Sequence, residues 1–126
     1  MTGVLVDSSV WIEHFRHDLE ALKQLLSGDQ VWTHPFVLAE VACGTPPQRH
    51  ATFASMALQH ASQQPTLQEV LDFIEREKLY GLGCGIVDLT LLAAALMTPG
   101  LRLWTLDRRL SALAQRFGVA FEPAVH

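Results

Sequence analysis

Four carboxylates stand beside apolar stretches: Asp7 after Val4-Leu5-Val6, Glu40 within Phe36-Val37-Leu38-Ala39-Glu40-Val41, Asp88 within Gly85-Ile86-Val87-Asp88-Leu89, and Asp107 after Leu103-Trp104-Thr105-Leu106. Burying an unpaired charge is strongly unfavourable, so acids in such places need compensation. The chain sets few basic side chains next to them. A divalent cation offsets several carboxylates at once, and oxygen-only ligands suit a hard ion such as Mg2+. A cation held this way lowers the pKa of a bound water and neutralises charge at phosphorus. These residue types therefore point first to metal-dependent cleavage of phosphodiester bonds.

The elements that must position these acids read as an alternating α/β order. Val4 to Val6 is a short all-apolar run, as expected of a strand covered on both faces of a parallel sheet. Asp7-Ser8-Ser9 offers caps for a helix through Trp11, Ile12 and Phe15. Leu19, Leu22, Leu25 and Leu26 form a second helical stripe that Gly28 ends. Gln30 to Thr33 fits a short strand, and Pro35 opens the helix carrying Glu40. After a break at Gly44 to Pro47, Arg49 to Ser62 and Thr66 to Lys78 predict a helical hairpin at about 49–78. Gly81, Gly83 and Gly85 loosen the chain ahead of a nearly all-apolar helix from Asp88 to Thr98. Leu101 to Leu106 predicts a strand, Asp107 to Phe117 a helix, and Val119 to Phe121 a last strand.

Sites in open parallel sheets form beyond the carboxyl ends of the strands. Asp7 and Asp107 each follow a predicted strand, and Glu40 and Asp88 lie on helices able to reach the same crevice. Like charges gathered there raise one another's pKa, and a bound metal reverses that.

At 126 residues, with 49% hydrophobic and 17% charged, the chain is expected to be one domain with its own core. Its longest apolar run, Leu91 to Met97, is far too short to span a bilayer, so no membrane association is expected. No basic-then-apolar leader opens it, which suggests the cytoplasm, and Cys43 and Cys84 read as two small buried thiols. A net charge of −4 argues against nonspecific affinity for nucleic acid, although Arg102, Arg108, Arg109 and Arg116 cluster late in the chain.

The segments Leu5-Val6-Asp7-Ser8-Ser9-Val10-Trp11-Ile12, Pro35 to Val41, Gly85 to Ala93 and Leu103 to Leu110 keep the order and spacing of a known family. The chain resembles the PIN-domain ribonucleases, and within them the VapC-type toxins of bacterial toxin–antitoxin pairs. The resemblance runs from residue 4 to about 121. It implies a three-layer α/β/α fold with a central, mostly parallel sheet of four to five strands. It implies that Asp7, Glu40, Asp88 and Asp107 bind Mg2+ or Mn2+ and catalyse endonucleolytic RNA cleavage, often of a structured RNA such as tRNA. Ser9 and Thr105 match hydroxyl positions that orient the carboxylates, and Arg108 and Arg109 are candidates for RNA phosphates. A VapB-type antitoxin and a homodimer are implied as partners. Where some PIN domains carry a further acid after the fourth, Arg108-Arg109-Leu110 follows here.

Other readings compete. Asp7, Asp88 and Asp107 could each merely cap a helix. His14 and His17, three apart on a helix, could serve a ribonuclease that uses the RNA 2′-hydroxyl, and His34 reads as fixing a loop. A PIN-like module that binds RNA or protein without cleaving is the alternative function. A phosphohydrolase fits poorly, because Ser9 stands where a second aspartate is wanted.

Overall fold

The computed structural model describes residues 3–123. Four strands, β1 (Gly3–Val6), β2 (Val31–Thr33), β3 (His60–Ala61) and β4 (Leu101–Trp104), form one sheet in the order β3-β2-β1-β4. Every pairing is parallel: Val4 faces Val31, Leu5 faces Leu103, and Trp32 faces His60. The connecting helices are α1 (Ser8–His17), α2 (Glu20–Ser27), α3 (Pro35–Ala42), α4 (Arg49–Ala57), α5 (Leu67–Glu77), α6 (Ile86–Met97) and α7 (Arg108–Arg116). The steps from β1 to β2 and β2 to β3 run one way across the sheet, and the step to β4 runs back past both. Right-handed crossovers then place α1 to α4 on one face and α5 and α6 on the other. Helix packing divides the same way: α1 and α4 meet α3, whereas α5 and α7 meet α6. The expected α/β fold with layers on both faces of a parallel sheet is what forms.

Burial follows the pattern of apolar residues. Val4, Leu5 and Val6 are wholly inside, covered from both faces. Seven consecutive residues of α6, Leu89 to Ala95, are buried, which explains a helix with almost no polar side. A Cβ on Gly3 would run into the Trp32 indole, so glycine lets that ring lie against β1. Among the described residues no helix is long and apolar enough to cross a membrane.

Several expected boundaries change. The helix expected to reach Ser62 ends at Ala57, and His60–Ala61 joins the sheet edge, with Ser62 N–H donating to Thr33 O at 2.9 Å. The segment expected as a simple helical hairpin at 49–78 is thus two helices separated by an edge strand. They also part company in packing: α4 lies on α3 and α5 on α6. Thr66 and Glu69 start α5 with a reciprocal capping box, each side chain bonding the other's backbone N–H. The expected last strand is one bridge, Ala120 beside Leu103, after which Phe121 turns its ring onto Trp104. Neither cysteine is buried: Cys43 is exposed and Cys84 half-exposed.

Candidate active site

The direction of crossing reverses between β1 and β4, and a crevice opens beyond their carboxyl ends at such a point. Asp7 follows β1 directly and is 4% exposed. Its carboxylate is held on both oxygens. Oδ1 accepts the Ser8 backbone N–H at 2.8 Å, and Oδ2 accepts Ser9 Oγ at 2.8 Å and Thr105 Oγ1 at 2.7 Å. Those two hydroxyls have no choice of direction. Ser9 Oγ accepts the Leu106 N–H at 3.1 Å and Thr105 Oγ1 accepts the Asp107 N–H at 3.1 Å, which leaves each proton for Asp7. Two relays therefore run from the backbone after β4, through a hydroxyl, to the acid after β1.

Asp107 stands before α7 as its cap, with Oδ1 accepting the N–H groups of Arg109 at 2.9 Å and Leu110 at 3.0 Å. Asp88 does not start its helix as expected. Gly85 does, and Asp88 occupies the third position of α6, where the Gly85 N–H reaches its carboxylate. Glu40, half-buried on α3, accepts Ser8 Oγ at 2.7 Å. Capping is thus real for Asp7 and Asp107, and for the buried Asp7 it offsets part of the cost of its charge. The N-termini of α1, α6 and α7 also lend the positive ends of their dipoles to the same place.

That compensation is incomplete. The Asp88 carboxyl is pushed above its usual range, first by burial and then by the charge of Asp7, with Asp107 and Glu40 adding to it. Asp88 thus lies within electrostatic reach of Asp7, Asp107 and Glu40. The Cys84 thiol is raised as well, by burial and then by Asp88 and Asp107. An all-oxygen donor set with excess negative charge suits a hard divalent ion. Among the described residues no three Asp, Glu, His or Cys side chains are close enough to form a cage by themselves. Mg2+ takes only one or two carboxylates and keeps several waters, so it does not require such a cage.

The basic residues sort themselves. Arg102 stacks on Phe121 at 5.2 Å, and Arg116 donates to Glu77 O at 3.1 Å, tying α7 to the end of α5. Arg108 and Arg109 are exposed on the first turn of α7, with the Arg109 side chain lying over Gly83. A Cβ on Gly83 would come within 2.5 Å of the guanidinium, and its φ of +85° also favours glycine.

The histidines have other duties. His14 Nδ1 accepts the Leu19 N–H at 2.9 Å, and His17 lies exposed, 3.8 Å from Glu13. His34 is buried and caps α3, its Nδ1 accepting the Phe36 N–H at 2.9 Å. Ser8 touches an acid as well, although the family pattern points only to Ser9 and Thr105. The run Asp7-Ser8-Ser9 at a helix start was a sufficient signal, since both hydroxyls there can face an acid.

Comparison with known proteins follows the same lines. A PIN-domain family model matches residues 4–116. Ribonuclease VapC32 from each of two Mycobacterium tuberculosis strains is 40% identical over 122 residues, spanning 97% of this chain and 98% of the relative. PAE2754 from Pyrobaculum aerophilum, a solved structure, is 19% identical with a TM-score of 0.59 over 93% of this chain and 96% of that one. At that identity the likeness concerns the fold alone.

Proposed function

Because this chain belongs to the PIN-domain family, beside the VapC-type ribonucleases, we propose that it is a Mg2+- or Mn2+-dependent endoribonuclease toxin. Its site is Asp7, Glu40, Asp88 and Asp107. The observation that carries this reading is that Ser8 joins Asp7 and Glu40 in one hydrogen-bonded group, with Asp88 close enough to feel the charge of both. When bound, the cation supplies Lewis-acid activation of water and neutralises phosphate charge.

The protein's own residues do the rest. Asp7 is clamped by Ser9 and Thr105 and cannot rotate out of the crevice. Asp107 commits Oδ1 to α7 and offers Oδ2 to an attacking water. Arg108 and Arg109 hold phosphates that flank the scissile bond. Attack by water leaves 5′-phosphate and 3′-hydroxyl ends and needs no 2′-hydroxyl.

The substrate is a structured cellular RNA such as tRNA, and its cleavage stops translation. A VapB-type antitoxin neutralises the enzyme, which works as a homodimer in the cytoplasm.

The test is cleavage of total RNA by purified protein with Mg2+, with Mn2+ and with EDTA, followed by end-group analysis. Metal-dependent cutting with 5′-phosphate ends, lost in Asp7→Asn and Asp88→Asn, is expected. Cyclic-phosphate ends, or cutting that survives EDTA, would overturn it.

A further inference from the structure

We infer that Ser8 is a positioning residue that fixes Glu40 against Asp7 and so sets the affinity for the divalent cation; the inference rests on the function proposed above. Ser8 is 7% exposed and is the first residue of α1. Its backbone N–H holds Asp7 Oδ1 at 2.8 Å, and its hydroxyl holds Glu40 Oε1 at 2.7 Å. The same hydroxyl lies 3.4 Å from Asp7 Oδ1, so its single proton faces both acids and favours the nearer Glu40. One residue therefore joins carboxylates that come from two elements packed face to face, α1 and α3.

The hydroxyl has specific work to do. Glu40 is half-buried with a long side chain, and Asp7 repels it. Among the described residues Ser8 is the hydrogen-bond donor to its carboxylate. A donor to an ionised acceptor makes one of the stronger hydrogen bonds, and here it resists that repulsion. Ser9 and Thr105 cannot substitute, because both give their protons to the other oxygen of Asp7. Without Ser8 Oγ the Glu40 carboxylate swings toward solvent, and an entering cation must order it.

The experiment measures Mn2+ binding to RNA-free protein from the loss of the free-ion electron paramagnetic resonance signal. Ser8→Ala should bind Mn2+ about 10-fold more weakly or worse, as expected for a residue that orients a ligand. Ser8→Thr, which keeps the hydroxyl, should stay near wild type. Glu40→Ala should weaken binding itself, and adding Ser8→Ala to it should cost nothing more, because the two act as one unit. Thermal melts followed by circular dichroism check that each variant is folded.

Wild-type affinity in Ser8→Ala, multiplied losses in the double variant, or failure of a folded Ser8→Thr to restore binding would each overturn the role. Should Ser8→Ala not fold, wild-type affinity in Glu40→Ala overturns it instead. Cleavage by Asp88→Asn separates the levels. If that variant still cuts, the proposed function fails; if it is dead and Ser8→Ala binds normally, only the role of Ser8 fails.

Discussion

Asp88 is an acid whose charge the surrounding protein opposes. Burial and then Asp7 push its carboxyl up, and only the Gly85 N–H works the other way. An acid whose folded pKa exceeds its unfolded value makes the fold less stable when ionised, and stability returns as pH falls through the folded pKa. Asp88→Asn should therefore melt a few degrees higher than wild type at pH 7 in EDTA, on the order of 2 °C. The gain should vanish at a pH low enough to protonate Asp88 in the wild type. Cleavage by the same variant should fall at least ~100-fold, since even residues that only orient metal ligands cost about 10–100-fold. A lowered melting temperature in metal-free buffer would mark Asp88 as structural instead. Thr105 makes the opposite case. It accepts from Asp107 N–H and donates to Asp7 Oδ2, so Thr105→Val keeps the shape and breaks both bonds. That variant should lose about 1–3 kcal/mol of stability, read by urea titration, from the buried groups left unpaired. Its cleavage should fall with it, and full activity would detach Thr105 from the site.

Elements carry the acids, and α3 shows how its entry is held. His34 caps it through Nδ1, an acceptor that exists only while the ring is neutral. Burial holds the His34 pKa below its ordinary value. A histidine depressed in the fold is protonated more readily when unfolded, so its stabilisation declines as pH drops below about 6.5 and levels off under the folded pKa. Urea melts at pH 7 and 5 should show that decline in wild type and not in His34→Asn, which keeps a neutral acceptor. His34→Ala should lose about 1 kcal/mol at pH 7, the usual weight of a cap. What could be read in advance at this scale depended on length and polarity. The all-apolar Val4 to Val6 and Leu91 to Ala95 fall inside because nothing else can cover them. His60–Ala61 escaped notice because two half-exposed residues at a sheet edge need no apolar alternation. The start of α6 shifted for a different reason: Gly85 has extended backbone and caps without a side chain, so Asp88 moved into the first turn. Asp7, Glu40, Asp88 and Asp107 could be singled out because an acid beside apolar residues is costly if it is buried, although only Asp7 ends fully inside and Asp107 is exposed. Ser8 could not be given a partner, because the 32-residue separation from Glu40 closes only when α1 packs on α3.

At the scale of the whole molecule the difficulty is that a chain of net charge −4 must approach a polyanion. The topology resolves part of it. Reversal of the crossing direction between β1 and β4 sets Asp7 and Asp107 at neighbouring strand ends, and α7 then leaves that point with Arg108 and Arg109 on its first turn. Arg102 and Arg116 are occupied with Phe121 and Glu77, so the positive charge free to meet phosphate near the acids is local. Binding governed by two contacts should depend only weakly on salt. For a single strand, log affinity falls against log salt with a slope of about −0.7 per phosphate neutralised, or about −1.4 for two. The cleavage-dead Asp88→Asn protein allows this to be measured on intact RNA by fluorescence anisotropy across a salt series. Adding Arg108→Ala and Arg109→Ala together should reduce the steepness by about 1.4 and weaken binding most at low salt. A basic surface spread over the molecule would instead give a much steeper line that hardly changes when these two are removed. Equal slopes would return both arginines to the solvated face of α7.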